Sequence, residues 1–310
     1  MPAPALDHPQ LLRGLPAADY HAMKAISAST AWCLSEECPA LALWRSPWNP
    51  DWQPPETAEF DLGIAAHLAA LEPKQLEHRT VSVDAADYRT TKARELRDAA
   101  RQDGKVPLLP WQMDIISAMA ASLKAHPIAS HAFRNGDAEV TMTWTDPVTR
   151  IRCKARVDYL PNCGRWLVDL KTSTSANPRH FADQVARLGY HARAAWYLDG
   201  AAEVLGRMPQ EYWFIIVAKE PPYLVSVVTL DETTIDWGRR QNRRALDLSR
   251  SAMAAGDWPG YRDPGQNRDR AFRIGLPPWA VWRLQDRSDA GEFGAAPTIS
   301  THRDARSYEG

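Results

Sequence analysis

Two neighbouring stretches of this 310-residue chain place carboxylates and cations where they could do chemistry together. Ile151 to Leu160 and Arg165 to Thr172 carry the residue types and alternation of β-strands. Alternate side chains of a strand share a face, so Arg150, Arg152, Lys154, Arg156 and Asp158 form a basic row leading up to one carboxylate. On the second strand Asp169 and Lys171 share a face, with Val168 and Leu170 opposite. The short turn between the strands lets them pair as a hairpin, so Asp158 and Asp169 could converge without being directly opposite. Hard Mg²⁺ takes one or two carboxylates together with backbone carbonyls, water and substrate phosphate, and Asp158, Asp169 and the carbonyl of Leu170 meet that demand. A cation held there acidifies its water and stabilises charge on a phosphate under in-line attack. Lys171 is placed to orient the nucleophile or offset the developing charge.

An Asp and a Lys two apart also fit a solvated edge strand. The flanking Trp166, Leu167, Val168 and Leu170 point instead to a largely buried strand, where an unpaired carboxylate is costly. The basic row likewise fits either a solvated face or a phosphate-binding surface, and its position must decide. We expect Arg152, Lys154 and Arg156 to contact DNA.

These strands need elements to hold them. A helix is expected near Ser29 to Glu37, capped by Ser27 or Ser29. Asp61 to Glu72 is apolar nearly all round and reads as a buried helix. Helices also fit Ala85 to Gln102 and Trp111 to His126. A strand at Ala138 to Thr145 joins the other two in an antiparallel meander. Asn177-Pro178 marks a helix start, and periodicity without internal proline runs on to Leu205, with Gly206 closing the helix. Strands fit Gln210 to Ala218 and Tyr223 to Leu230, and a polar helix fits Thr233 to Ala255. The order predicts an α+β (mixed α/β) fold with a central mixed sheet flanked by helices. We expect one domain over residues 1–285, mainly helical to 130 with the sheet core over 131–285, and a disordered tail over 286–310.

Hydrophobic residues make up 45% of the chain and charged ones 24%, enough for a sizeable core. No run of about 18 apolar residues exists and Met1 to Arg13 lacks signal-peptide organisation, so a cytoplasmic protein without membrane partners is expected. The four cysteines form neither a disulfide framework nor a CxxC zinc pattern and read as free thiols. A net charge of -1 excludes a globally basic coat protein, so any DNA site must be a local surface. Most of the thirteen tryptophans suit the core; Trp48 and Trp52, in a Pro-rich segment, are the better candidates for exposure.

The run of Gly63-Ile64-Ala65-Ala66-His67, Glu139, Arg156-Val157-Asp158-Tyr159-Leu160 and Val168-Asp169-Leu170-Lys171-Thr172-Ser173 resembles the PD-(D/E)xK nuclease signature in its RecB-like branch. Asp19-Tyr20-His21, Ala42-Leu43-Trp44-Arg45, the stretch from Leu62 to Pro73, Tyr190-His191 ahead of Trp196-Tyr197, and Leu276-Pro277-Pro278-Trp279-Ala280 extend the likeness to the RecE (exonuclease VIII) type over residues 18–282. The resemblance implies a restriction-endonuclease-like core and a Mg²⁺-dependent, or Mn²⁺-dependent, exodeoxyribonuclease acting on linear double-stranded DNA ends, in the 5′ to 3′ direction, in phage-type recombination. It further implies a homo-oligomeric ring, commonly a tetramer, and a RecT-type single-strand annealing partner. Residue by residue it makes Asp158 and Asp169 metal ligands, Lys171 catalytic, His67 a further metal ligand, and Glu139 an acidic residue flanking the metal.

Taken alone, His67 also fits a satisfied core histidine and Glu139 a strand-end surface carboxylate. Gly63 and Ala70, small residues near His67 on its helical face, would let that face approach a strand closely. Tyr190, Arg193 and Tyr197 fall on one helical face, where DNA contact and aromatic packing are both open. The family's Gln-x-x-x-Tyr motif keeps its tyrosine as Tyr197, but Arg193 stands where the glutamine would be; an arginine there could hold a phosphate bidentately. Two other functional readings remain: a catalytically silent DNA-binding module, and an AddB-like nuclease with an iron–sulfur cluster.

Overall fold

The structure, a computed structural model, describes residues 8–51, 58–261 and 271–294. Trp52 therefore lies outside the described residues. The chain divides into two compact units, Met1–Tyr261 and Arg262–Gly310.

In the first unit a helical half precedes the sheet. A short strand β1 (Gln10–Leu12) is followed by α1 (Ala17–Ala22), α2 (Ala28–Glu36), α3 (Pro39–Trp44), α4 (Ala58–Leu71), α5 (Pro73–Arg79), β2 (Thr80–Ser82), α6 (Thr91–Gln102), β3 (Val106–Leu108), α7 (Pro110–Ala125) and α8 (Pro127–Ala132). Ser27 caps α2, its hydroxyl accepting the N–H of Thr30 at 3.2 Å. α6 starts later than the sequence predicts because Thr90 caps it through the N–H of Ala93.

The second half supplies β4 (Gly136–Thr145), β5 (Arg152–Pro161), β6 (Trp166–Ser173), α9 (Pro178–Leu188), α10 (Tyr190–Leu205), β7 (Glu211–Ala218), β8 (Val225–Val228) and α11 (Glu232–Ala255). Strands order as β1-β4-β5-β6-β7-β8, with β6 and β7 parallel and every other neighbouring pair antiparallel; β2 and β3 form a separate parallel pair. The parallel pair is what a strand–helix–strand crossover makes, and α9–α10 is that crossover. On one face Val140, Val157, Leu167 and Phe214 bury against Leu34, Phe181 and Trp196; on the other Val168, Leu170 and Ile215 bury against Ala66, Met119 and Ala132. The mixed sheet flanked by helices is thus the predicted fold class.

The long helix predicted over Pro178 to Leu205 is broken in two. Gly189 takes φ +67 and ends α9, and a Cβ there would lie 2.3 Å from the Trp32 ring. Periodicity alone hid the break because both helices keep their apolar faces on one sheet. Asn177 and Gly206 occupy the cap positions expected of them.

The second unit holds α12 (Pro278–Asp289), which runs across the predicted boundary between residues 285 and 286. Residues 295–310 of the expected tail lie outside the described residues. No helix among the described residues is long and apolar enough to cross a membrane.

Candidate active site

β4 and β5 stay in register from Gly136–Pro161 to Thr145–Arg152, but the position between Ala138↔Tyr159 and Val140↔Val157 carries no pair. Its occupants are Glu139 and Asp158. Val140 and Val157 pack in the core beneath α10, whereas Ala138 and Tyr159, two residues away, pack in the core beside α7 and α8. Strict alternation would keep residues two apart on one face, so both strands change face together at Glu139 and Asp158. Glu139 takes φ +53, a left-handed backbone that costs a side-chain-bearing residue about 1–2 kcal/mol. Such outliers cluster at functional sites.

β5 and β6 pair only at Tyr159↔Val168. One step on, Asp158 and Asp169 share the next row, and Oδ2 of Asp158 accepts the N–H of Leu170 at 2.7 Å. The carboxylate thus takes the place of a ladder carbonyl and opens the sheet locally. From the opposite layer α4 brings His67, with Nδ1 3.6 Å from Oδ2 of Asp158. Ligand atoms of His67, Glu139 and Asp158 all lie within 4.8 Å of one another.

Asp169, 3% exposed, faces the α10 side. Lys171 forms an ion pair with it, and the Tyr212 hydroxyl donates to its Oδ1 at 3.0 Å. The Lys171 ammonium lies 5.3 Å from the centre of the Tyr190 ring, and the Arg193 guanidinium 5.6 Å from the same ring. A cavity of about 610 Å³ opens over this ground, lined among others by His67, Glu139, Arg156, Leu170, Lys171 and Lys219.

Burial, then the neighbouring Asp169 charge, pushes the Asp158 carboxyl up to about 7. Burial and then Asp158 raise Glu139. Burial opposes the charge on Asp169 too, but Lys171 and Arg193 overcome it and hold that carboxyl low. Burial, then the charge of Lys171, lowers His67, keeping its imidazole neutral and able to ligate. A neutral imidazole and two carboxylates crowded against their preference for ionisation suit a hard divalent cation such as Mg²⁺ or Mn²⁺, which would relieve the repulsion.

The structure therefore brings together His67, Glu139, Asp158, Asp169, Leu170 and Lys171. Within the tight group Glu139 accompanies His67 and Asp158, while Asp169 is committed to Lys171 and Tyr212. Tyr190 stacks on Phe181 and Phe214, and Tyr197 meets Tyr212 edge-on, so aromatic packing holds both beside the site.

The basic row is corrected in its middle. Lys154 is buried, its ammonium donating to the carbonyl oxygens of Tyr20, His21 and Met23, so it fastens the N-terminal segment to β5 and does not face a ligand. Arg156 lines the cavity and donates from Nε to Glu139 at 2.6 Å. Arg152 is exposed at the far end of β5, six residues or about 20 Å from Asp158.

Gly63 is corrected as well. A Cβ there would touch nothing within 4 Å, so it is not needed for close helix–strand approach; it lines the cavity. Tyr212 and Lys219 escaped the sequence reading, since a tyrosine in an apolar strand and a lysine in a loop carry no spacing signal of their own.

A mixed sheet carrying Asp158 on one strand and Asp169-x-Lys171 on the next, with an acidic residue and a histidine closing round them, defines a PD-(D/E)xK-like nuclease core. The sequence matches the family model of the PDDEXK-like domain of unknown function (DUF3799) over residues 27–266, and the chain belongs to that family. No curated protein matches the sequence. The crystal structure of a "Putative exonuclease" from Eubacterium rectale superposes with a TM-score of 0.58 at 11% identity, covering 86% of this chain and 96% of that one, which supports the fold. The structure of SSO0001 is 15% identical over 61% of this chain and 86% of that one, with a TM-score of only 0.26.

Proposed function

We propose that this protein is a metal-dependent exodeoxyribonuclease that degrades one strand of linear double-stranded DNA, in the 5′ to 3′ direction, in phage-type homologous recombination. The observation that carries the hydrolytic reading is the convergence of His67, Glu139 and Asp158 beside the Asp169–Lys171 pair, at a cavity lined by His67, Glu139, Arg156, Lys171 and Lys219. His67, Glu139 and Asp158 would hold the cation, with Asp169 and the Leu170 carbonyl alongside. A divalent cation bound there supplies an acidified water and charge stabilisation at the scissile phosphate.

The chain's own groups do the rest. Arg156 and Lys219 draw the phosphate backbone into the cavity, and Lys171, oriented by Asp169, offsets charge on the scissile phosphate as the attacking oxygen arrives. Asp169 is held in turn by Tyr212. Arg193, half-buried behind the Tyr190 ring, reinforces the positive field at Asp169.

Strand choice, direction, a ring-shaped homo-oligomer and a RecT-type annealing partner rest on the ordered RecE-like motifs. An iron–sulfur centre finds no support: Cys33, Cys38 and Cys153 are buried, Cys163 is exposed, and no cysteine joins a metal-capable group among the described residues.

Linear duplex labelled separately at its 5′ and 3′ ends tests the reading, incubated with Mg²⁺, with EDTA, and with Asp169→Ala protein. Mg²⁺-dependent loss of the 5′ label, absent in the variant, is the expected result. Intact DNA under every condition overturns it in favour of a silent DNA-binding module.

A further inference from the structure

A second cavity, of about 540 Å³, lies at the other end of β5. Its lining includes Lys24, Arg150, Arg152 and Arg250, together with Trp48, which is half-buried against the core, and contains no carboxylate. All four cations are exposed, and none pairs with an acidic group among the described residues. Four unpaired positive charges around one concavity repel each other unless an anion is present, so the arrangement favours an anionic ligand.

The cavity is built from fixed parts. Arg150 sits at φ +63 in the turn between β4 and β5, where glycine or asparagine would be held at less cost. That turn is anchored by Asp146, which accepts the N–H and hydroxyl of Thr149, each at 2.7 Å, and a two-pronged contact from Arg243 of α11. The same helix carries Arg250. Lys24 is placed by Ile26, two residues on, which exchanges backbone hydrogen bonds with Arg152 and Lys154, and by the Lys154 ammonium, which ties the Tyr20–Met23 carbonyls. Lys24 stands three residues beyond His21, which lines the active-site cavity, so one short segment borders both cavities.

We propose that this second cavity binds a single strand of DNA, with backbone phosphates on Arg150, Arg152 and Arg250 and a base against Trp48, about 20 Å from the metal-capable group. The inference deepens the nuclease reading and rests on it for the identity of the ligand. A recess of this size with one aromatic wall admits an unpaired nucleotide, whose base is free to stack. A duplex presents its phosphates on a convex surface and keeps its bases enclosed, which uses neither the recess nor Trp48.

The test is fluorescence anisotropy of a labelled 20-nucleotide single strand in EDTA, so that binding is read without cleavage, across a KCl series. The full chain is compared with Arg150→Ala/Arg152→Ala/Arg250→Ala, whose melting temperature is checked first. We expect the triple variant to bind at least about tenfold more weakly, with the slope of log K against log[KCl] reduced by about 2, as loss of three single-strand phosphate contacts requires. Trp48→Leu should weaken the single strand with little change in that slope. Unchanged affinity and slope in the triple variant overturn the proposal, as does an equal loss of affinity for a blunt duplex. Cleavage is scored separately with Mg²⁺. A wild type that cuts DNA while the triple variant binds single strands normally overturns only this inference, and a wild type that never cuts but loses strand binding in the variant overturns only the nuclease reading.

Discussion

Glu139 and Asp158 stand opposite each other at the single unpaired position of the β4–β5 ladder, and there both strands change the face they bury. Register is kept while the pleat is inverted, and the left-handed backbone of Glu139 absorbs the difference. Replacing Glu139 by glycine should therefore give a protein about 1 kcal/mol more stable than replacing it by alanine, since glycine takes φ +53 without penalty. Both variants lose the Arg156 ion pair, so their difference in urea unfolding isolates the strain. Both should lose cleavage.

Lys171→Ala should abolish metal-dependent cleavage, and it should also destabilise the protein. Asp169 is almost wholly buried, and loss of its ion-pair partner strands a carboxylate at a cost of about 3 kcal/mol. Lys171→Ala/Asp169→Asn should recover stability without recovering activity. Thermal melts beside the end-label digestion separate the effects; an active Lys171→Ala protein removes Lys171 from the chemistry.

Metal binding should be visible without DNA. Mn²⁺ or Mg²⁺ at about a hundred times its Kd should stabilise the wild type by about 2.7 kcal/mol and raise its melting temperature. EDTA should reverse the shift. His67→Ala and Asp158→Ala should show none of it, and a full shift in either variant would place the cation elsewhere.

Lys154→Ala should behave as a folding defect. Three carbonyl oxygens lose a charged donor, for a loss of about 2–3 kcal/mol. Urea unfolding of the variant beside wild type reads that loss, and an unchanged midpoint would mean that the ammonium does not fasten the N-terminal segment to β5.

Asp146 gives a pH signature. Burial opposes its ionisation, but the Arg243 guanidinium and the Thr149 hydroxyl and N–H hold its carboxyl down at about 2. A folded-state value below that of the unfolded chain means stabilisation present above about pH 4 and lost as the pH falls towards 2. Asp146→Asn should therefore unfold at lower urea than wild type at pH 7, with the gap narrowing at pH 2.5. A constant gap would mean the carboxylate charge is not what anchors the turn.

Local pattern alone determined a good deal of this molecule. Alternating residues gave β4, β5, β6 and β7 their identity, Ser27 and Asn177 declared helix starts, and the Asp169-x-Lys171 spacing placed an ammonium beside a carboxylate on one strand face. Each depends on residues a few positions apart, which the sequence states directly. Tertiary packing decided the rest. It brought His67 across from the opposite layer and inverted two strands to turn Glu139 and Asp158 together. It also divided one basic row into an arginine that lines the candidate site's cavity, a buried lysine that pins the N-terminal segment, and the wall of a second cavity. Strand parity tells which residues share a face but not what covers that face, because covering elements come from distant parts of the chain and are chosen by the shape and burial of the whole core.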